Sequence, residues 1–124
     1  MNAKGVSWVG IKTAEFVKMR AFFAHVVGLE VVDESEDFVT FRYPNGDQVE
    51  IFGPMAGNTP EQFASNQVVT SILVEDINQA TSELMAAGVE LLGGLHAGTN
   101  GYAWQHFRAP DGKVLELVCD PAHP

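Results

Sequence analysis

Apolar and polar positions change period several times along this chain, and each change marks an element. Residues 6–13 (VSWVGIKT) alternate loosely and are rich in β-branched side chains, which predicts a strand. Thr13 can cap a helix that starts just after it. The stretch AEFVKMRAFFAHVV sets Phe16, Met19, Phe22 or Phe23, and Val26 at helical spacing. Gly28 is placed to end that helix, and short strands are expected at about 29–33, 37–43 and 48–53. The same order then begins again. Residues 67–75 (QVVTSILVE) predict a strand, and Asp76 is a suitable cap for a helix (INQATSELMAA) with Ile77, Ala80, Leu84 and Met85 on one face. Gly88 ends it, and VELLG, YAWQHFR and KVLELVC are strands.

The two halves overlay in detail. FRYPNGDQVEI (41–51) and FRAPDGKVLEL (107–117) each run from an apolar strand through a Pro-Asn/Asp-Gly turn to a strand holding one glutamate. Gly28-Leu29-Glu30 matches Gly88-Val89-Glu90 sixty residues later, whereas the turns are sixty-six apart. The six extra residues fall in loops, where insertions cost little. This pattern predicts an α+β fold of two tandem βαβββ modules, with half-open curved sheets around a cavity and the helices outside. We expect one domain over 1–124: module one at about 5–53, a Gly-, Pro- and Asn-rich linker at about 54–66, and module two at about 67–120.

Turn chemistry fixes the register. A three-residue hairpin loop usually ends in a left-handed glycine. Taking 44–46 as that loop sets Thr40 opposite Glu50, Phe41 opposite Val49 and Arg42 opposite Gln48. The same construction at 110–112 sets His106 opposite Glu116, Arg108 opposite Val114 and Trp104 opposite Val118. One sheet face is then uniformly apolar and suits the helices. The other carries Trp8, Thr40, Arg42, Gln48 and Glu50 in the first module, with Phe38 and Phe52 further along. In the second it carries Val69, Ser71, Leu73, Trp104, His106, Arg108 and Glu116. Large aromatics on this mixed face require cover, so the modules should share it.

Composition narrows the partners. Sixteen acidic against seven basic residues give a formal charge of -9, which disfavours nucleic acid and anionic membranes and tolerates cationic ligands. Cys119 is the single cysteine, so no disulfide or cysteine metal cluster can form within the chain. No signal peptide or membrane-length apolar run is evident, and a cytoplasmic location is the expectation.

With AFF-x-x-V-x-GLE at 21–30 and the two glutamate-bearing turns, the chain resembles the vicinal oxygen chelate superfamily, the glyoxalase I, bleomycin-resistance and extradiol-dioxygenase fold, over about residues 5–120. That resemblance implies a half-open barrel around a small-molecule site, commonly in a homodimer. It also implies four metal-ligand positions, which fall on Trp8, Glu50, Val69 and Glu116. Trp and Val offer no lone pair to a metal, so both imidazoles are missing, and two carboxylates fall short of a normal ligand set. The expectation is a site without metal or other cofactor, with His106 the one side chain able to add a third ligand should a divalent ion bind. Arg42 is the expected partner of Glu50, and His106 that of Glu116, because a buried carboxylate needs a partner or a proton.

Three functional classes are compatible with these residues. One is a metal-independent binding protein, similar to the bleomycin-resistance type, holding a small cationic or aromatic molecule among Trp8, Thr40, Arg42, Glu50, Val69, Ser71, Trp104 and Arg108. Another is an enzyme: a glyoxalase-like lyase or isomerase, or a metal-independent catalyst in which His106 and Glu116 form an acid–base pair. The third is a structural role with the cavity packed solid. The Gly-rich segment GGLHAGTNGY (93–102) is a candidate lid.

Overall fold

The computed structural model describes residues 1–56 and 67–124. Most of the linker therefore lies outside the described residues. Strand β1 (Ala3–Gly5) and strand β2 (Trp8–Lys12) precede helix α1 (Phe16–Ala21), which runs directly into a π-helical segment (Phe22–Val27). Three strands complete the first module: β3 (Glu30–Ser35), β4 (Phe38–Arg42) and β5 (Gln48–Phe52). The second comprises β6 (Val68–Val74), α2 (Ile77–Ala86), β7 (Leu91–Ala97), β8 (Ala103–Arg108) and β9 (Val114–Cys119). The α+β architecture of tandem βαβββ modules is thus present.

All these strands join one sheet in the order β3-β4-β5-β2-β6-β9-β8-β7, with β1 also on β6. Within each module the first and last strands are parallel, Gly10 beside Glu50 and Ser71 beside Glu116. The modules meet edge to edge where β2 pairs antiparallel with β6, Gly10 opposite Val69. The hairpin registers are those expected, Thr40 opposite Glu50 and His106 opposite Glu116. Gly46 and Gly112 end the two turns at φ 95° and 93°, a backbone conformation that glycine adopts without a Cβ clash.

The sequence leaves open whether the modules pair within one chain or between two; here the twist of the continuous sheet brings Glu50 and Glu116 to one cavity within a single chain. Two expectations about the first helix are corrected. In the first helix Phe16, Met19 and, of the two alternatives, Phe23 pack on the core as expected, but Val26 is exposed. The π-turn widens the helix at this point and rotates the later positions off the apolar stripe. Thr13 does not cap the helix; its hydroxyl accepts from the Glu15 amide at 2.9 Å, and Glu15 occupies the N-cap position. In α2, by contrast, Asp76 caps as expected, accepting from the Gln79 amide at 3.0 Å.

The helix-side cores are separate. Val39, Phe41, Val49 and Ile51 form the first, under α1, and Val74, Ile77, Ala80, Ala103, Phe107 and Leu117 form the second, under α2. A third cluster lies on the opposite face and crosses the module boundary: Trp8 and Phe52 from the first half, Val69 from the second, with Phe38 and Ala56 against them. Emptying such a position, as in Trp8→Ala, costs about 3–5 kcal/mol in general.

Candidate functional site

The site is built from strand positions that the turns place. In β5 the core takes Val49 and Ile51, so strand alternation turns Glu50 to the other face. In β9 the core takes Leu117, so Glu116 turns the same way. Together they border a cavity of about 230 Å³ lined by Trp8, Phe38, Glu50, Phe52, Tyr102, Trp104, His106 and Glu116. Five of these eight side chains are aromatic, and both tryptophans of the chain are among them.

The two glutamates are satisfied differently. The indole N–H of Trp8 donates to Oε1 of Glu50 at 2.6 Å, and Thr40 adds a second side-chain hydrogen bond. Burial pushes the Glu50 carboxyl up to about 7, against the downward pull of the Trp8 hydrogen bond, and the negative field of Glu116 adds to the rise. Glu116 has an imidazole beside it: Nε2 of His106 lies 2.8 Å from its Oε2. That approach is off the ring's N–H axis, and Nε2 has no linear hydrogen-bond partner. Burial raises the Glu116 carboxyl, and His106 draws it back. Burial also raises the Tyr102 phenol, reinforced by the fields of Glu116 and Glu50.

The other residues singled out in the sequence fall around this cavity or away from it. Thr40 is buried against Glu50. Val69 is fully buried behind Trp8 and Phe52. Ser71 is buried beside Glu116 in register, with its hydroxyl 3.3 Å from that of Ser7. Arg42 is not the partner of Glu50: the groups acting most on that carboxyl are Trp8, Glu116, Thr40 and Asp33, and Arg42 acts on Tyr102 instead. Arg108 turns to Glu90 at 3.0 Å and to the Gly112 carbonyl at 3.0 Å, outside the cavity lining.

Sequence reasoning missed one lining residue, Tyr102, and one neighbour of the lining, His96. Tyr102 lines the cavity just ahead of β8, and its only signal is a place two residues from Trp104 on an alternating strand. The glycines around His96 suggest a loop, but residues 93–97 belong to β7, and the His96 ring stacks on Trp104 at 4.9 Å between centroids and 12° between planes. Half of the candidate lid is accordingly strand, with a register irregularity between Leu92 and His96 absorbing the glycines.

The donor set does not fit a divalent metal. Among the described residues no group of three or more His, Cys, Asp or Glu side chains converges as ligands. Glu50 is engaged by an indole, and Val69 presents only methyl groups at the position opposite. Among the described residues, too, no helix is long and apolar enough to cross a membrane.

Comparison with known proteins agrees with this geometry. No curated protein sequence matches the chain. A superfamily member from Vibrio splendidus is similar in structure, with a TM-score of 0.66 and 20% identity over 94% of this chain and 100% of that one. Methylmalonyl-CoA epimerase from Mycobacterium tuberculosis gives a TM-score of 0.71 and 18% identity over 94% and 88%. The Mn(II)-bound glyoxalase from Novosphingobium aromaticivorans gives 0.73 and 21% over 95% of this chain and 39% of that one. At these identities the likeness is one of fold. The family model for the Glyoxalase/Bleomycin resistance protein/Dioxygenase superfamily matches residues 5–117, nearly the whole chain, and the protein belongs to that superfamily.

Proposed function

We propose that this protein binds a small organic molecule in the shared cavity without a metal, in the manner of bleomycin-resistance-type binding proteins. The observation that carries the reading is the enclosure of two carboxylates and an imidazole by five aromatic rings. Such walls supply stacking area, and a few placed polar groups supply orientation. Trp8, Glu50 and Trp104 are the contacts assigned to the ligand, with Thr40 and Val69 holding Trp8 and Glu50 in place. Ser71 supports Glu116. Arg42 acts at the Tyr102 end, and Arg108 serves the β8–β9 turn. Because both tryptophans line the cavity, intrinsic tryptophan fluorescence reports on this site alone. Titration with a panel of aromatic compounds, cationic and neutral, should shift or quench it at tens of micromolar. A silent panel would remove the reading.

His106 and Glu116 favour a second reading, in which the bound molecule exchanges a proton with this pair. A buried imidazole 2.8 Å from a carboxylate whose own proton affinity is raised is a reasonable acid–base couple. Once a turned-over compound is found, His106→Ala should abolish turnover and preserve the fold; normal turnover would sink this assignment. A homodimer accords with the family resemblance, although both glutamates meet within one chain, and light scattering would measure it.

A further inference from the structure

We propose that the occupant of this cavity is a monocationic amine, its ammonium group hydrogen-bonded between Glu50 and Glu116 and its apolar body against the aromatic wall; this rests on the small-molecule reading.

No lysine or arginine is among the lining side chains, although two carboxylates are. Glu116 has an imidazole beside it, but the hydrogen-bond partners of Glu50, Trp8 and Thr40, are both neutral. The charged groups that act most strongly on it, Glu116 and Asp33, are both negative. One carboxylate in the pair is thus without a counter-charge in a largely desolvated place. An anionic occupant would be repelled. A neutral one would displace water from Glu50 and offer no charge in return, a costly exchange. A divalent ion would lack ligands, as the donor set already indicates. A single positive charge with N–H donors meets each requirement: it neutralises one carboxylate, donates to both, and lies near ring faces that attract cations. The formal charge of -9 draws such a ligand to the surface at no further cost.

A matched trio tests this: 2-phenylethylamine, its N,N,N-trimethyl derivative and 2-phenylethanol, titrated at pH 7.5 against tryptophan fluorescence and by calorimetry. The amine should bind at least tenfold more tightly than the alcohol and several-fold more tightly than the trimethylated cation, which has no N–H to donate. In Glu50→Gln, and independently in Glu116→Gln, the amine-to-alcohol ratio should fall toward one, with circular dichroism confirming that each variant is folded. Equal binding of amine and alcohol by the unaltered protein overturns the inference and leaves the small-molecule reading standing. Equal binding of amine and trimethylated cation overturns the hydrogen-bonded seat. If none of the three binds, the inference falls, and the broader reading falls with it only when the wider aromatic panel is also silent.

Discussion

The two modules place a glutamate at the same point of the same motif and then treat it in opposite ways. Glu50 is held by a neutral indole from the first strand of its module and a hydroxyl from the strand opposite. Glu116 has only Val69 and Ser71 on its first strand, and its partner is the imidazole from the strand opposite. Thr40 and His106 thus occupy equivalent places in the register, as do Trp8 and Val69 in the resemblance. The repeat preserves backbone position, because turns and strand alternation dictate it, while the side chains around each carboxyl are free to diverge. The result is one site with a neutral-donor half and an ionisable half.

Removing the partner of Glu50 should disturb this contrast most. Trp8→Ala takes away a cavity wall and the Glu50 donor together, and should cost about 3–5 kcal/mol in denaturant unfolding. Trp8→Phe keeps a ring and removes the hydrogen bond, and should cost about 1–3 kcal/mol, the penalty of a buried acceptor left short. If both variants cost the same, the ring matters little and the indole N–H is the dominant contribution.

Stability against pH should separate the two halves next. The folded carboxyl of Glu50 lies at about 7 against an ordinary 4.5, so the folded state holds this proton more tightly than the unfolded chain does. Its contribution is full below the unfolded value and is lost as pH rises through the folded one. That gap corresponds to about 3 kcal/mol between mild acid and pH 8. Glu50→Gln should remove most of this decline, and chemical unfolding at pH 5 and pH 8 measures it. An unchanged slope would mean that Glu50 is solvated.

Much of this arrangement is legible in the sequence, and the reasons are local. Pro-Asn-Gly and Pro-Asp-Gly specify a turn, the turn specifies register, and register alone sets Thr40 against Glu50 and His106 against Glu116. Partners set by long-range packing are not legible. Arg42 is the obvious cation for Glu50 by charge, yet the bond goes to Trp8, forty-two residues away in sequence and brought near by a parallel strand pairing. His96 is hidden because glycines at 93 and 94 read as a loop, and only the pairing with β8 holds them in a strand. The π-turn at Phe22–Val27 likewise carries no pattern distinct from an α-helix.

A smaller effect lies at the far end of the chain. His123, in the C-terminal tail, does not line the cavity. Its Nε2 contacts Oδ1 of Asp47 at 2.7 Å and ties the segment after β9 to the turn of the first module. The Asp47 hydrogen bond raises the imidazole above its usual range. This tie is therefore strongest in mild acid and weakens as pH rises through the raised value. His123→Ala should lower stability by less than about 1 kcal/mol at pH 6, and by less still at pH 9. A loss that grows with pH would show that the contact does not depend on the imidazolium.

One chain pools the glutamates of both modules in one desolvated cavity, and the sharpest check on this is carbon-13 NMR of the side-chain carboxyls, titrated in the intact protein and in Glu116→Gln. Glu50 should titrate near 7, and its midpoint should fall when the neighbouring negative charge is removed. A Glu50 midpoint near 4.5, indifferent to Glu116→Gln, would contradict the shared cavity.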